Sequence, residues 1–256
     1  MLLADCALWA TQDHRHGALL TSEHAAGLVI AAAALADLIT ADALAVTATR
    51  AAVLSPPCGE QVPVPVGFTG GRAPAVTIPG DLRPWFTAAR WPGSLRPAVD
   101  DAGTWQQWPG VDPLGAQILH QILQDPELGP GEVIEGLAAG IRHRVTDRLI
   151  RTGAARAHTV RGLWWRRSVT VAVAPHRQQW IVLPPLANIY NRRPLTHGQR
   201  FWAHLITASS LGPLVLGHLP PATVTHAIGD PADLHPAYQP LLNTAVTLLH
   251  HMALAR

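Results

Sequence analysis

The sequence predicts a mainly α-helical fold, a single helical domain with a small β-hairpin. Three observations carry that prediction. Apolar residues recur at helical spacing over several segments, a period of two dominates only one stretch (158–175), and capping residues fall where the helical patterns begin and end. With 256 residues, 48% apolar and 14% charged, the chain can bury a substantial core.

Residues 2–12 read as a short helix and 13–17 as a turn. A strong helix follows over 22–43, with Ser22 as its cap and an alanine-rich body suited to close packing. The texture then changes. Eleven of the 23 prolines fall in 55–113, together with Gly70-Gly71 and the tryptophans Trp85, Trp91, Trp105 and Trp108. That proline density forbids long helices and central strands, so 55–111 reads as an irregular insertion with an edge strand at 62–66.

Helical periodicity returns at Asp112-Pro113, an acceptor followed by proline at the first helical position, with Leu114, Ile118, Leu119 and Ile122 on one face. A longer helix is predicted over 132–152. It buries Val133, Leu137, Ile141, Val145 and Leu149, places Arg142, Arg144, Arg148 and Arg151 on other faces, and stops at Gly153. The hairpin of 158–175 should bend near Trp165 to Ser168. Thr196 and Gln199 have capping-box spacing and open a helix over 201–211; a Gly212-Pro213 break, a short helix and a final amphipathic helix over 241–255 complete the domain.

All 19 basic residues other than histidine are arginines, and their distribution is polarised. Residues 142–200 hold 12 arginines against one acid, Asp147, a net +11, whereas the remainder carries about −9. Clustered cations of this kind favour phosphates, of lipid or of nucleic acid. The absence of lysine beside abundant alanine fits a GC-rich bacterial coding bias.

Other classes find little support. Cys6 and Cys58 form no CxxC and fit a reducing cytosol. The opening MLLADCALW has no basic region and includes Asp5, a poor signal peptide. The longest apolar run, 25–36, falls short of the roughly 20 residues that span a bilayer. There is no GxSxG, GxxxxGK[ST] or GxGxxG, and neither His14/His16 nor His250/His251 has zinc-ligand spacing. His143 and His204 read as surface or core residues. No enzyme activity, metal or cofactor is expected.

In order along the chain, LLADCALWATQDHRHGAL, LADLITADAL, DPLGAQILHQIL, IRHRVTDRLIRTGAAR with the hairpin after it, and more weakly QRFWAHLITASSLGPLVL resemble the Golgi phosphoprotein 3 family. These are peripheral membrane proteins that in eukaryotes bind phosphatidylinositol 4-phosphate and that have bacterial, notably actinobacterial, relatives. The resemblance implies that family's helical fold and a lipid site built from a tryptophan and three arginines. Carried onto this chain, one arginine falls on Arg142, its partner on Ala139, the other arginine near Ala31 and the tryptophan near Ser22. One of four is kept, and the acids of the family's PTGDxLLDxAL motif become Ala116, Gln117 and His120.

A single exposed arginine is worth little against water and salt, so other arginines, Arg144, Arg148 and Arg151, are needed for a basic surface. The resemblance also implies a membrane-touching hairpin tip, which here holds Leu163, Trp164, Trp165, Arg166 and Arg167. Indole rings favour headgroup depth, and neighbouring arginines favour phosphates. The expectation is a protein on the cytoplasmic face of a membrane, peripherally bound to anionic phospholipid of the phosphatidylinositol 4-phosphate type through Arg142, Arg144, Arg151, Trp164, Trp165, Arg166 and Arg167. The other readings of the hairpin are packing of Trp164 on the core and pairing in a homo-oligomer. A winged-helix-like nucleic-acid-binding or protein-interaction module ranks behind lipid, because no helix-turn-helix turn precedes Glu132.

Overall fold

A computed structural model describes residues 2–13, 18–54, 110–125, 127–161, 167–173 and 184–254. The edge strand expected at 62–66, nearly all of the proline-rich insertion and the hairpin tip, with Trp164, Trp165 and Arg166, lie outside the described residues.

The described chain is mainly helical, with two small two-stranded antiparallel sheets. Its centre is α2 (Glu23–Thr40), in which every residue from Ala25 to Ala36 is buried. Ser22 caps it, accepting a hydrogen bond from the Ala25 N–H at 3.2 Å. Around α2 pack α1 (Leu3–Ala10), α3 (Pro113–Gln124), α4 (Pro130–Arg151), α6 (His197–Ala208) and α9 (Gln239–Leu254). By length and composition α2 is apolar enough to cross a membrane, yet it is enclosed on these sides as the core helix.

Small side chains set the tightest crossing. A Cβ on Gly27 would lie 2.2 Å from the Ala138 carbonyl oxygen, so the α2 and α4 backbones meet here only because residue 27 has none. The α4 residues Val133, Leu137, Ile141, Val145 and Leu149 are buried as predicted, as are Leu114, Ile118, Leu119 and Ile122 of α3. Gly153 ends α4 at φ +68°. Its N–H donates to Ile150 at 3.0 Å and that of Ala154 to Leu149 at 2.8 Å, the two bonds of a Schellman cap.

Three expectations need correction. α2 ends at Thr40 rather than near residue 43, because Asp42 turns into the left-handed region at φ +53° and the chain enters a hairpin, β1 (Leu44–Val46) with β2 (Ala51–Val53). Strands of three residues are too short to show alternation, so this hairpin went unread. The second hairpin, β3 (Ala155–Arg161) with β4 (Arg167–Val173), begins three residues before the expected start, and Arg167 and Ser168 belong to a strand and not to the bend. The helix expected over 201–211 runs from His197 to Ala208, and after the break the expected short helix starts at Gly212-Pro213 itself, as α7 (Gly212–Val215). The connecting helices α5 (Pro184–Tyr190) and α8 (Pro221–Ile228) also open on proline. The Thr196–Gln199 capping box is present, each partner bonded to the other's backbone N–H at 3.2 Å.

Candidate functional site

The arginines of α4 divide by what they touch. Arg148 is only 12% exposed and bridges two other elements, with Nη2 2.5 Å from Asp5 of α1 and Nη1 2.5 Å from Asp112, the cap of α3. Asp112 also accepts the Gly115 N–H at 2.8 Å through its other oxygen, which orients it for the guanidinium. Burial pulls the Arg148 pKa down, but Asp5 and Asp112 outweigh that effect and leave it raised. Beside this pair, Asp37 of α2 accepts the Leu3 N–H at 2.8 Å and the Ala4 N–H at 3.0 Å, capping α1 from another helix.

Burial pushes the Asp37 carboxyl up to about 7; the two N–H groups and Arg148 act the other way, and Asp5 adds to the rise. The adjacent Cys6 thiol is also buried, which drives its pKa far above the ordinary value and keeps it in the inert thiol form. Leu2, Asp37, Asp112 and Arg148 line a cleft of about 20 Å³. That is room for about one water molecule and far below the several hundred cubic ångströms of a ligand pocket. Among the described residues the cluster is therefore a fastening, joining α1, α2, α3 and α4.

The remaining α4 arginines are more peripheral. Arg142 places Nη1 3.0 and 3.1 Å from the two carboxylate oxygens of Glu23, at the start of α2. Of the other positions carried over from the family, Ser22 is the α2 cap, Ala139 is exposed, and Ala31 is fully buried. The fold thus brings Arg142 close to the 22–23 region while turning position 31 into the core. An acid occupies the fork of the one arginine that is kept.

Arg144 is half-buried, its partial desolvation lowers its pKa, and Nη1 lies 3.5 Å from Gln121 Oε1 of α3. Arg151 is exposed, with Nε 3.4 Å from the Asp147 carbonyl. His143 is exposed and 3.3 Å from Asp147, and His204 is buried, which lowers its pKa. No group of three metal-binding side chains occurs among the described residues.

Past Gly153 the chain runs straight into β3, where Arg156 is exposed. The β3–β4 register pairs Arg156 with Ala172 and, at the rung next to the tip, Arg161 with Arg167. The signal for this rung was present in the sequence as arginines flanking Gly162 to Arg166, but it became a pair only once the register was known. The Asp5–Arg148–Asp112 cluster had its own trace, a lone Asp5 in an apolar segment and an acceptor before Pro113; nothing local tied either to Arg148.

The chain matches no family model, no curated protein and no solved structure.

Proposed function

We propose that this protein is a peripheral membrane protein that binds anionic phospholipid through the β3–β4 hairpin and the exposed arginines at its base. The single observation that carries the reading is the Arg161–Arg167 rung beside a tip of sequence GLWWR. Two arginines paired in the register bring two cations to one rung for an anion to share, and tryptophans next to them in sequence favour headgroup depth. Arg151 and Arg156 extend the positive charge toward α4. Resemblance to the Golgi phosphoprotein 3 family adds phosphatidylinositol 4-phosphate as the lipid type to test first, with Arg142 as the matched residue.

Geometry shifts the weight of this proposal from helix to hairpin. Arg148 is spent on Asp5 and Asp112, and Arg142 faces Glu23, so the helix offers fewer cations than its sequence suggests. Co-sedimentation with anionic liposomes, run beside a gel shift with duplex DNA over a salt series, tests the reading. Joint replacement of Trp164, Trp165, Arg166 and Arg167 should abolish pelleting while far-UV circular dichroism stays unchanged. Unchanged pelleting of that variant removes the hairpin from the proposal, and DNA binding at physiological salt without pelleting overturns the lipid reading itself.

A further inference from the structure

The turn that closes α5 carries charge in a place where the backbone would be easier with glycine. Arg192 donates its N–H to Ile189 at 3.1 Å and Arg193 to Asn188 at 2.8 Å, the paired bonds of a Schellman cap. Such a cap puts one residue in the left-handed region, and here that residue is Arg192, at φ +54°. Glycine takes that conformation without steric cost; an arginine does not. Asn191 Nδ2 also bonds the Ala187 carbonyl at 2.8 Å, so the turn is fastened through its side chain as well.

Tyr190, just before it, is 74% exposed, and both arginines are exposed. Among the described residues neither Arg192 nor Arg193 pairs with a carboxylate. The surrounding sequence supplies no acid either: 148–229 contains ten arginines and no aspartate or glutamate. Cations are favoured at any helix C-terminus, and this accounts for a basic residue in the turn. It does not account for placing one at the left-handed position, nor for a bare phenol beside it.

We propose that the 190–193 turn is a second lipid-contact element, in which Arg192 and Arg193 meet the phosphates of an anionic bilayer and Tyr190 rests at its interface. This rests on the membrane reading above and adds to it a rigid contact separate in sequence from the hairpin. Charge complementarity chooses the occupant: two exposed guanidiniums that meet no carboxylate among the described residues, with an amphipathic ring beside them, suit a phosphate-bearing surface whose outer layer is wet and whose inner layer is apolar.

The test uses the full chain and two vesicle types, neutral phosphatidylcholine alone and phosphatidylcholine with phosphatidylserine. The double variant Arg192→Gly, Arg193→Gln should bind the anionic vesicles roughly 30-fold more weakly at low salt, from two lost surface cations. Its Tm should be unchanged or higher, because glycine relieves the left-handed position. Tyr190→Ser should show a smaller loss on the same vesicles. Wild-type affinity in the double variant, with a lowered Tm, would make the turn a helix cap and overturn the proposal while leaving the hairpin reading intact. If the wild-type chain pellets with neither vesicle type, both readings fall together.

Discussion

Arg148 and the Arg161–Arg167 rung are less than twenty positions apart, yet the fold treats their charges in opposite ways. Arg148 is held, mostly out of solvent, between two carboxylates, and those carboxylates belong to α1 and to the cap of α3. Arg161 and Arg167 are set opposite one another in a ladder. The first arrangement cancels charge inside the molecule and joins helices; the second pairs two arginines across a hairpin, with no acid at their rung. A window of sequence with net +11 is therefore not all surface charge, since Arg148 is spent between helices. Its interior members act on stability, the proposed lipid binding would fall to its peripheral members, and mutations should separate the two.

The largest effect should come from Arg148→Ala. It leaves a buried Asp5 and a partly buried Asp112 without their cation, and loss of one partner of such a cluster costs up to about 3–5 kcal/mol, read as a lower midpoint in urea denaturation. A midpoint within error of wild type would reduce the cluster to a surface pair. Gly27→Ala should follow, at about 1–3 kcal/mol, because the new methyl meets the Ala138 carbonyl and forces α2 and α4 apart. Neither change removes an arginine of the hairpin, so the correctly folded fraction should still bind anionic vesicles.

The pH dependence of stability is a third way to probe the interior. Asp37 has a folded pKa of about 7, above its ordinary value of 3.8. Between those values the folded chain holds a proton that the unfolded chain has lost. Its contribution is therefore fully present below about pH 4 and disappears as pH rises toward 7, with a slope of at most about 1.4 kcal/mol per pH unit. Asp37→Asn should flatten that part of the profile, and an unchanged slope would assign the proton to another group.

The smallest effect concerns Arg142. Its pair with Glu23 is largely exposed, so Glu23→Gln should change stability by less than about 1 kcal/mol. The same substitution frees the guanidinium of Arg142, the residue that the proposed lipid reading carries over from the resemblance. Tighter vesicle binding by Glu23→Gln would give the helix a share in lipid contact, whereas unchanged binding would leave that role to the hairpin and the 190–193 turn.

Much of the fold was legible because the signals are local. Ser22, Asp112 and the Thr196–Gln199 pair each act on N–H groups two or three residues away, and the buried faces of α3 and α4 follow from a fixed 3.6-residue period. The β1–β2 hairpin was not legible, since three-residue strands carry no periodic signal and its entry depends on Asp42 adopting a positive φ. The Tyr190-Asn191-Arg192-Arg193 turn was equally silent: nothing in those letters announces that Arg192 will be left-handed.

The site shows the same division. Sequence alone settled which residue types were available: arginines without lysines, an acid-free stretch around them, tryptophans beside two of them, and helices on which others ride. Tertiary structure decided which of those arginines keep their charge at the surface. Asp5 and Arg148 lie 143 positions apart, Glu23 and Arg142 lie 119 apart, and the sheet register set Arg161 against Arg167. Electrostatic partners are chosen by distance in space, which falls off over a few ångströms, while a sequence records only distance along the chain.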